Sequence, residues 1–289
     1  MDQTILVTGA TGTVGREVVK QLAMVDGVRV RAGVHSLIKG ENLKRLPDVE
    51  LVEIEFTDPE SLHAAFTHVD KLFLITPFTD GQIEMSKTLI DEAKRTGVKH
   101  IVKLSVIGAG NQDSMQLARW HREIEEYIEQ SGIPYTFLRP GSFMQNFEHY
   151  NAESIKKEGK LYMSTGSGKV AYIDARDIAT VGVEALLGNG HEGKIYELTG
   201  PEALNADEAA QLISEVTGRQ VTFIDVPEDA VRQSMQQQKM PDHMVSAVLE
   251  LNTCCRDGRL EDVTNEVEQV AGCKPHTFRQ YIQDHKEIF

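Results

Sequence analysis

Gly9, Gly12 and Gly15 follow the short apolar run Ile5, Leu6 and Val7 at a spacing suited to holding a phosphate. In such a turn the first glycine permits a tight bend, the second lets the backbone approach a pyrophosphate, and the third allows close helix–strand contact. Beyond it, Val14, Val18, Leu22 and Val25 recur at intervals of four, four and three, on one helical face. The stretch TILVTGATGTVG, Thr4 to Gly15, therefore reads as strand, phosphate loop and helix start. The helix would point its amides and positive dipole end at a bound anion, so a dinucleotide phosphate is the expected guest.

The end of the next apolar segment, VRVRAGV (Val28 to Val34), bears on which dinucleotide. About twenty residues after such a loop, a site for NAD(H) places an Asp or Glu on the ribose 2′-hydroxyl, whereas cationic or hydroxyl groups accommodate a 2′-phosphate. His35 stands twenty positions after Gly15, and Ser36 and Lys39 follow with no carboxylate among them. NADP(H) is therefore expected over NAD(H), unless His35 is simply a surface histidine at a strand end.

A tyrosine with a lysine four residues later would form a proton relay, and no such pair exists. Four places beyond Tyr127, Tyr135, Tyr150, Tyr162, Tyr172, Tyr196 and Tyr281 stand Ser131, Arg139, Ser154, Gly166, Arg176, Gly200 and His285. Two other groups remain as catalytic candidates. Ser105, ending the segment HIVKLS, could reach a substrate oxygen or the nicotinamide ribose, or serve only as a turn serine. His121 and Glu125 lie four apart on a helix; they could form an acid/base unit, or a hydrogen bond that fixes the helix on the sheet. Without a third ligand the HxxxE spacing makes no metal site. Asp174 and Asp177 read better as helix cap and ion-pair partner of Arg176 than as catalytic acids.

These groups need a scaffold that brings strand ends together. A third strand, Val49 to Phe56, precedes a helix capped by Thr57 or Asp58, and would place Glu55 and Phe56 beside an adenine ring. A fourth, Lys71 to Pro77, stops at Thr76-Pro77-Phe78, whose end should face the cofactor and its substrate. A helix ending at Gly97, the strand His100 to Ser105, a helix over 115–131 and a strand from Pro134 complete the alternation. This predicts an α/β, doubly wound parallel sheet over 1–147 and a smaller, mixed C-terminal lobe over 148–289, interleaved with it. The lobe is expected to hold a strand entering a helix over 171–179, a strand over 194–200, a helix boxed by Asn205 and Glu208, a strand over 220–226, and helices over 228–239, 242–255 and 275–286. Phe143, Met144 and Phe147, after Pro140-Gly141, would suit a flat apolar substrate if that loop turns back over the strand ends; core packing explains them as well.

The chain's 289 residues are ample for a large core, and its net charge of -14 argues against a protein built to lie along nucleic acid. Three cysteines without metal spacing, no long apolar run and no signal pattern make a cytoplasmic protein off the membrane the expectation, monomeric or homodimeric.

Taken together, TGATGTVG, SVIGAG (Ser105 to Gly110), HREIE (His121 to Glu125), SGIPYTFLRPGSFMQN (Ser131 to Asn146), YIDARDIA (Tyr172 to Ala179) and YELTGPEAL resemble the NmrA-like branch of atypical short-chain dehydrogenases, over essentially the whole chain. The resemblance implies a Rossmann lobe holding NADP(H), a smaller lobe closing the substrate pocket, and direct hydride transfer to a conjugated acceptor. It implies that Gly9, Thr11, Gly12, Thr13, Val14 and Gly15 hold the pyrophosphate, that Thr76 and Pro77 lie beside ribose and nicotinamide, and that Pro140 and Phe143 border the nicotinamide. The chain departs from the usual pattern at His35, where relatives often carry Arg, and at Glu55, where they often carry Asp. An NADPH-dependent reductase of small aromatic, quinone-like or conjugated compounds is the function expected. A non-catalytic NADP(H) sensor acting through a protein partner is the alternative, since it needs the same loop. A nucleotide-sugar epimerase is disfavoured by the missing Tyr–Lys pair.

Overall fold

The glycine turn sits where the strand order reverses. In a computed structural model describing residues 3–111 and 115–289, β1 (Gln3–Val7), β2 (Val28–Val34), β3 (Val49–Glu53), β4 (Lys71–Leu74), β5 (His100–Leu104) and β6 (Tyr135–Pro140) run parallel in the order β3-β2-β1-β4-β5-β6. Ile5 is in register with both Val30 and Lys71, so β1 lies at the switch point, outside whose carboxyl end ligands bind in such sheets. Of the later strands, β7 (Lys160–Met163), β8 (Lys194–Leu198) and β9 (Thr222–Asp225), β8 extends the sheet beside β6, while β7 and β9 form a separate parallel pair. The architecture is Rossmann-like.

The helices are α1 (Thr13–Leu22), α2 (Leu37–Gly40), α3 (Pro59–Phe66), α4 (Gln82–Thr96), α5 (Gln116–Ser131) and α6 (Gln145–Glu158), followed by α7 (Ala175–Leu187), α8 (Ala206–Thr217), α9 (Glu228–Gln237), α10 (Asp242–Arg256), α11 (Glu266–Ala271) and α12 (Phe278–Asp284). The chain divides into two compact units, one of residues 1–110, 118–139 and 178–196, the other of 111–117, 140–177 and 197–289. It crosses between them repeatedly, where the sequence suggests a main boundary near residue 147.

In the first unit Ile5, Leu6 and Val7 are wholly buried, as a strand covered on both faces requires. Leu6, Leu72 and Leu74 from the strands pack with Leu89, Ile90, Ile124, Ile128 and Phe137 in one core. Each such side chain contributes about 1.5–3 kcal/mol on burial. Asp58 Oδ1 caps α3 by accepting from Glu60 N at 2.9 Å, and Gly97 ends α4 at φ 81°.

Strand β4 stops at Leu74, short of the expected Pro77. The reason is Thr8, whose hydroxyl donates to Ile75 O at 2.7 Å and accepts from Ile75 N at 2.8 Å. Both polar groups of Ile75 are thereby taken by a side chain, and the strand leaves its ladder.

In the second unit, Asn205 and Glu208 form the expected capping box of α8. Helix α6 and strand β7 were not legible, because Gln145 and Asn151 are buried beside Phe147 and Ile155 and break the apolar rhythm. The strand expected over 171–174 is reduced to isolated bridges, Val170 with Leu204 and Leu260, and Ile173 with Phe143. Asp174 both caps α7, accepting from Arg176 N at 2.8 Å, and pairs with the Arg176 guanidinium at 2.7 Å; Asp177 instead pairs with His276 at 2.7 Å.

His100, at the start of β5, is 3% exposed and bonded through Nε2 to Thr136 Oγ1 at 3.0 Å. Burial, with the Lys71 cation second, pushes its imidazole down to about 4. An unfolded histidine binds its proton near 6.5. Between those values the unfolded chain holds the extra proton, so this residue makes stability fall by up to about 3 kcal/mol as pH drops from about 6.5 to about 4. Unfolding free energies across that range should show a shallower slope in His100→Gln; an unchanged slope would assign the proton uptake elsewhere.

Candidate functional site

The phosphate loop is a backbone structure first. Gly9 adopts φ 60°, and the turn closes through Gly12 N to Gly9 O at 2.9 Å before the first α1 bond runs from Arg16 N to Gly12 O. A Cβ on Gly15 would stand 2.3 Å from Gly9 O and 2.9 Å from Gly9 C, so helix and turn meet closer than any side chain permits. Thr11 and Gly12 are exposed at the tip, Thr13 is half-buried, and Val14 and Gly15 are buried beneath. A backbone-lined turn ahead of a helix N-terminus fits a dinucleotide pyrophosphate.

At the end of β2, His35 and Lys39 are exposed and Ser36 is half-buried. Glu55 turns its carboxylate onto its own loop, accepting from Thr57 Oγ1 at 3.0 Å and Thr57 N at 3.3 Å. Those two bonds, with a smaller contribution from His35, hold it below the usual carboxylate range. Phe56 is half-buried, packed against the core at one side. Beyond β4, the Thr76 hydroxyl bonds to Ser86 Oγ at 3.0 Å, while Pro77 and Phe78 are exposed. The Phe78 ring stands 6.0 Å from that of Trp120, giving this unit a partly open aromatic surface.

Beside β4, the end of β5 carries a buried polar cluster. Ser105 Oγ donates to Glu125 Oε1 at 2.6 Å; Arg139 of β6 donates to the same carboxylate through Nε at 3.0 Å and Nη2 at 2.7 Å, and Arg122 adds a contact of 3.2 Å. Burial opposes the charge on Glu125, but the Arg139 and Ser105 bonds outweigh it and hold the carboxyl below its ordinary value. The pairing expected between His121 and Glu125 is therefore corrected. Glu125 is saturated by Arg139, Arg122 and Ser105, and His121 Nδ1 instead meets Lys103 Nζ at 2.8 Å. The Ser105 proton is committed to Glu125, which leaves this hydroxyl an acceptor toward any ligand. Neither Lys103 nor Arg139 was singled out from sequence; the signal was a lysine on an otherwise apolar buried strand.

In the other unit Pro140 is buried and Phe143 is half-buried where it bridges Ile173. Met144 and Phe147 are 0% and 1% exposed. Phe147 packs 5.0 Å from Tyr172 and 4.8 Å from Phe278. Substrate contact expected at Met144 and Phe147 is corrected to core packing, since neither offers surface to a ligand.

Among the described residues no group of His, Cys, Asp and Glu could hold a metal, and no helix is long and apolar enough to cross a membrane.

A model of the NmrA-like family covers residues 1–285. The NAD(P)H azoreductase of Xenophilus azovorans is 38% identical over 285 residues, 99% of each chain. The crystal structure of an NADPH-dependent quinone oxidoreductase from Escherichia coli complexed with NADPH superposes with a TM-score of 0.85 at 27% identity, covering 98% of this chain and 99% of that one. The Citrobacter sp. triphenylmethane reductase complexed with NADP(H) gives 0.83 at 28% identity, covering 97% and 99%.

Proposed function

The chain belongs to the NmrA-like family, and from that premise we propose that it is an NAD(P)H-dependent oxidoreductase that reduces small aromatic acceptors such as quinones, azo compounds or cationic dyes. The observation that carries the reading is the 38% identity shared with an NAD(P)H azoreductase along 99% of both chains. It joins a glycine turn in which Gly15 lies so close to Gly9 that no side chain fits between helix and turn, the backbone geometry expected of a pyrophosphate loop. When bound, the nicotinamide supplies hydride. The chain's own work is positioning: Gly9 to Gly15 hold the pyrophosphate, and Thr76 and Pro77 at the end of β4 flank the ribose and nicotinamide. Phe78 with Trp120 offers an aromatic face to a flat acceptor. Ser105 is a fixed acceptor for a ribose or substrate hydroxyl. Phe56 is proposed for the adenine side.

His35, Ser36 and Lys39 favour the 2′-phosphate of NADP(H). Oxidation of NADPH and NADH against azo dyes, quinones, triphenylmethane dyes and enones is the test. Turnover of at least one class is expected; cofactor binding without turnover of any would support a sensor instead. In the same assay His35→Asp should reverse the NADPH preference, with roughly 10- to 100-fold weaker NADPH binding, the worth of a charged hydrogen bond. An unchanged ratio of binding constants would remove the end of β2 from cofactor choice.

A further inference from the structure

Lys103 occupies the penultimate position of β5 and is 2% exposed. Placing an ammonium there costs several kcal/mol of hydration that an apolar residue would not forfeit. Its Nζ donates to Leu104 O at 3.0 Å and meets His121 Nδ1 at 2.8 Å. An ammonium can only donate, so Nδ1 accepts and the ring proton sits on Nε2. Nε2 has no hydrogen-bond partner among the described residues. Because β5 and β6 are parallel, α5 runs back between them, which puts His121 nearer the carboxyl edge of the sheet than Glu125. The lysine stem therefore climbs toward the edge at which Thr76 and Pro77, just beyond β4, also emerge.

We propose that Lys103 and His121 form a proton relay in which Lys103, acting through the imidazole, supplies the proton that a reduced acceptor requires. This rests on the reductase reading above. A quinone or azo acceptor, two electrons richer after hydride transfer from NAD(P)H, carries negative charge on an oxygen or nitrogen, whereas a cationic dye becomes neutral and takes no proton. The His121 Nε2–H bond breaks as the acceptor O–H or N–H bond forms, while one N–H bond of the Lys103 ammonium breaks as Nδ1–H forms. Lys103 is left as a neutral amine accepting from Nδ1–H. Uptake of a solvent proton at Nε2 and return of the Nδ1 proton to Lys103 reset the pair. His121 is the catalytic residue and Lys103 its positioning partner and proton source.

The groups facing Lys103 are His121 and Glu125 from α5 and Arg139 from β6. Burial, opposed by Glu125 and reinforced by Arg139, pushes Lys103 down to about 7. Burial and then the Lys103 charge hold His121 well below its ordinary value, so the ring stays neutral while the lysine titrates. Lys103 is therefore a usable acid below about pH 7 and loses that capacity above it.

Two measurements test the relay. In cofactor-free protein labelled with 15N-histidine, NMR at about pH 6 should show His121 as the Nε2–H tautomer, assigned with His121→Gln. Its Nδ1 shift should titrate near pH 7, and that titration should vanish in Lys103→Met. In turnover of a quinone or azo acceptor, wild-type kcat should fall above about pH 7, and Lys103→Met should lower kcat on the order of 10²-fold, flatten its pH profile and leave KM nearly unchanged. Lys103→Arg, which keeps charge but cannot release a proton at these pH values, should not restore kcat. An Nδ1–H tautomer at pH 6, or a wild-type pH profile in Lys103→Met, overturns the relay alone. Failure of the wild type to turn over any acceptor overturns the reductase reading and the relay's purpose with it, even where the NMR coupling is present.

Discussion

Gly15→Ala should abolish tight dinucleotide binding and lower stability together. The added Cβ would sit 2.3 Å from Gly9 O, 2.9 Å from Gly9 C and 3.1 Å from Ala10 Cα, all backbone atoms with no rotamer in which to retreat. Either α1 moves away from β1 or the turn opens. Overpacking of this kind costs about 1–3 kcal/mol, and the displaced amides no longer converge on one phosphate. Affinity for NADPH should fall at least about tenfold, the equivalent of about 1.4 kcal/mol. Gly12→Ala is the control for stability, because its Cβ meets only Gly9 O, at 3.2 Å, while in binding it too would stand where the pyrophosphate approaches. Titration calorimetry and thermal unfolding on both variants read the two effects. Equal losses of stability in the two would show that loop flexibility, rather than the approach of Gly15 to Gly9, sets the cost.

Glu125→Ala should be the most destabilising single change in the polar cluster. Glu125 is 0% exposed and Arg139 is 7% exposed, and the substitution leaves a buried guanidinium without its carboxylate. Breaking a buried pair from one side costs about 3–5 kcal/mol. Lys103 loses its opposing charge as well, so its ammonium becomes harder to keep. At about 2–4 °C per kcal/mol for chains of 150–250 residues, the melting temperature should drop on the order of 10 °C. A double variant, Glu125→Leu with Arg139→Met, removes both charges and should recover most of that loss. If the double variant is as unstable as the single one, the pair contributes through the shape of the Ser105 to Gly110 turn rather than through its charge. That turn has little slack, since a Cβ at Gly110 would stand 2.7 Å from Arg139 Nη1.

Much of the scaffold was written in short-range pattern. The apolar runs gave β1 to β6, the glycine spacing gave the loop, and Asn205 with Glu208 gave the start of α8. Helix α6 escaped because its inner face includes Gln145 and Asn151, which satisfy local partners: Gln145 Nε2 binds Asp174 at 3.0 Å, and Asn151 Nδ2 binds Tyr162 O at 2.8 Å. Polar residues buried for such reasons are indistinguishable in sequence from solvent-facing ones.

The site shows the same division. From the sequence alone, the glycine turn, the missing carboxylate at His35 and the absent Tyr–Lys pair were determined, because each depends on neighbours within one strand and the turn or helix that follows. Only the tertiary structure decided that Glu125 belongs to Arg139 and Ser105, and His121 to Lys103, across separations of 14, 20 and 18 residues. Helical spacing establishes which residues share a face, as His121 and Glu125 do. Which strand residue each one meets depends on how α5 lies between β5 and β6, and on the length of the lysine stem that reaches past one rung of the sheet to the next.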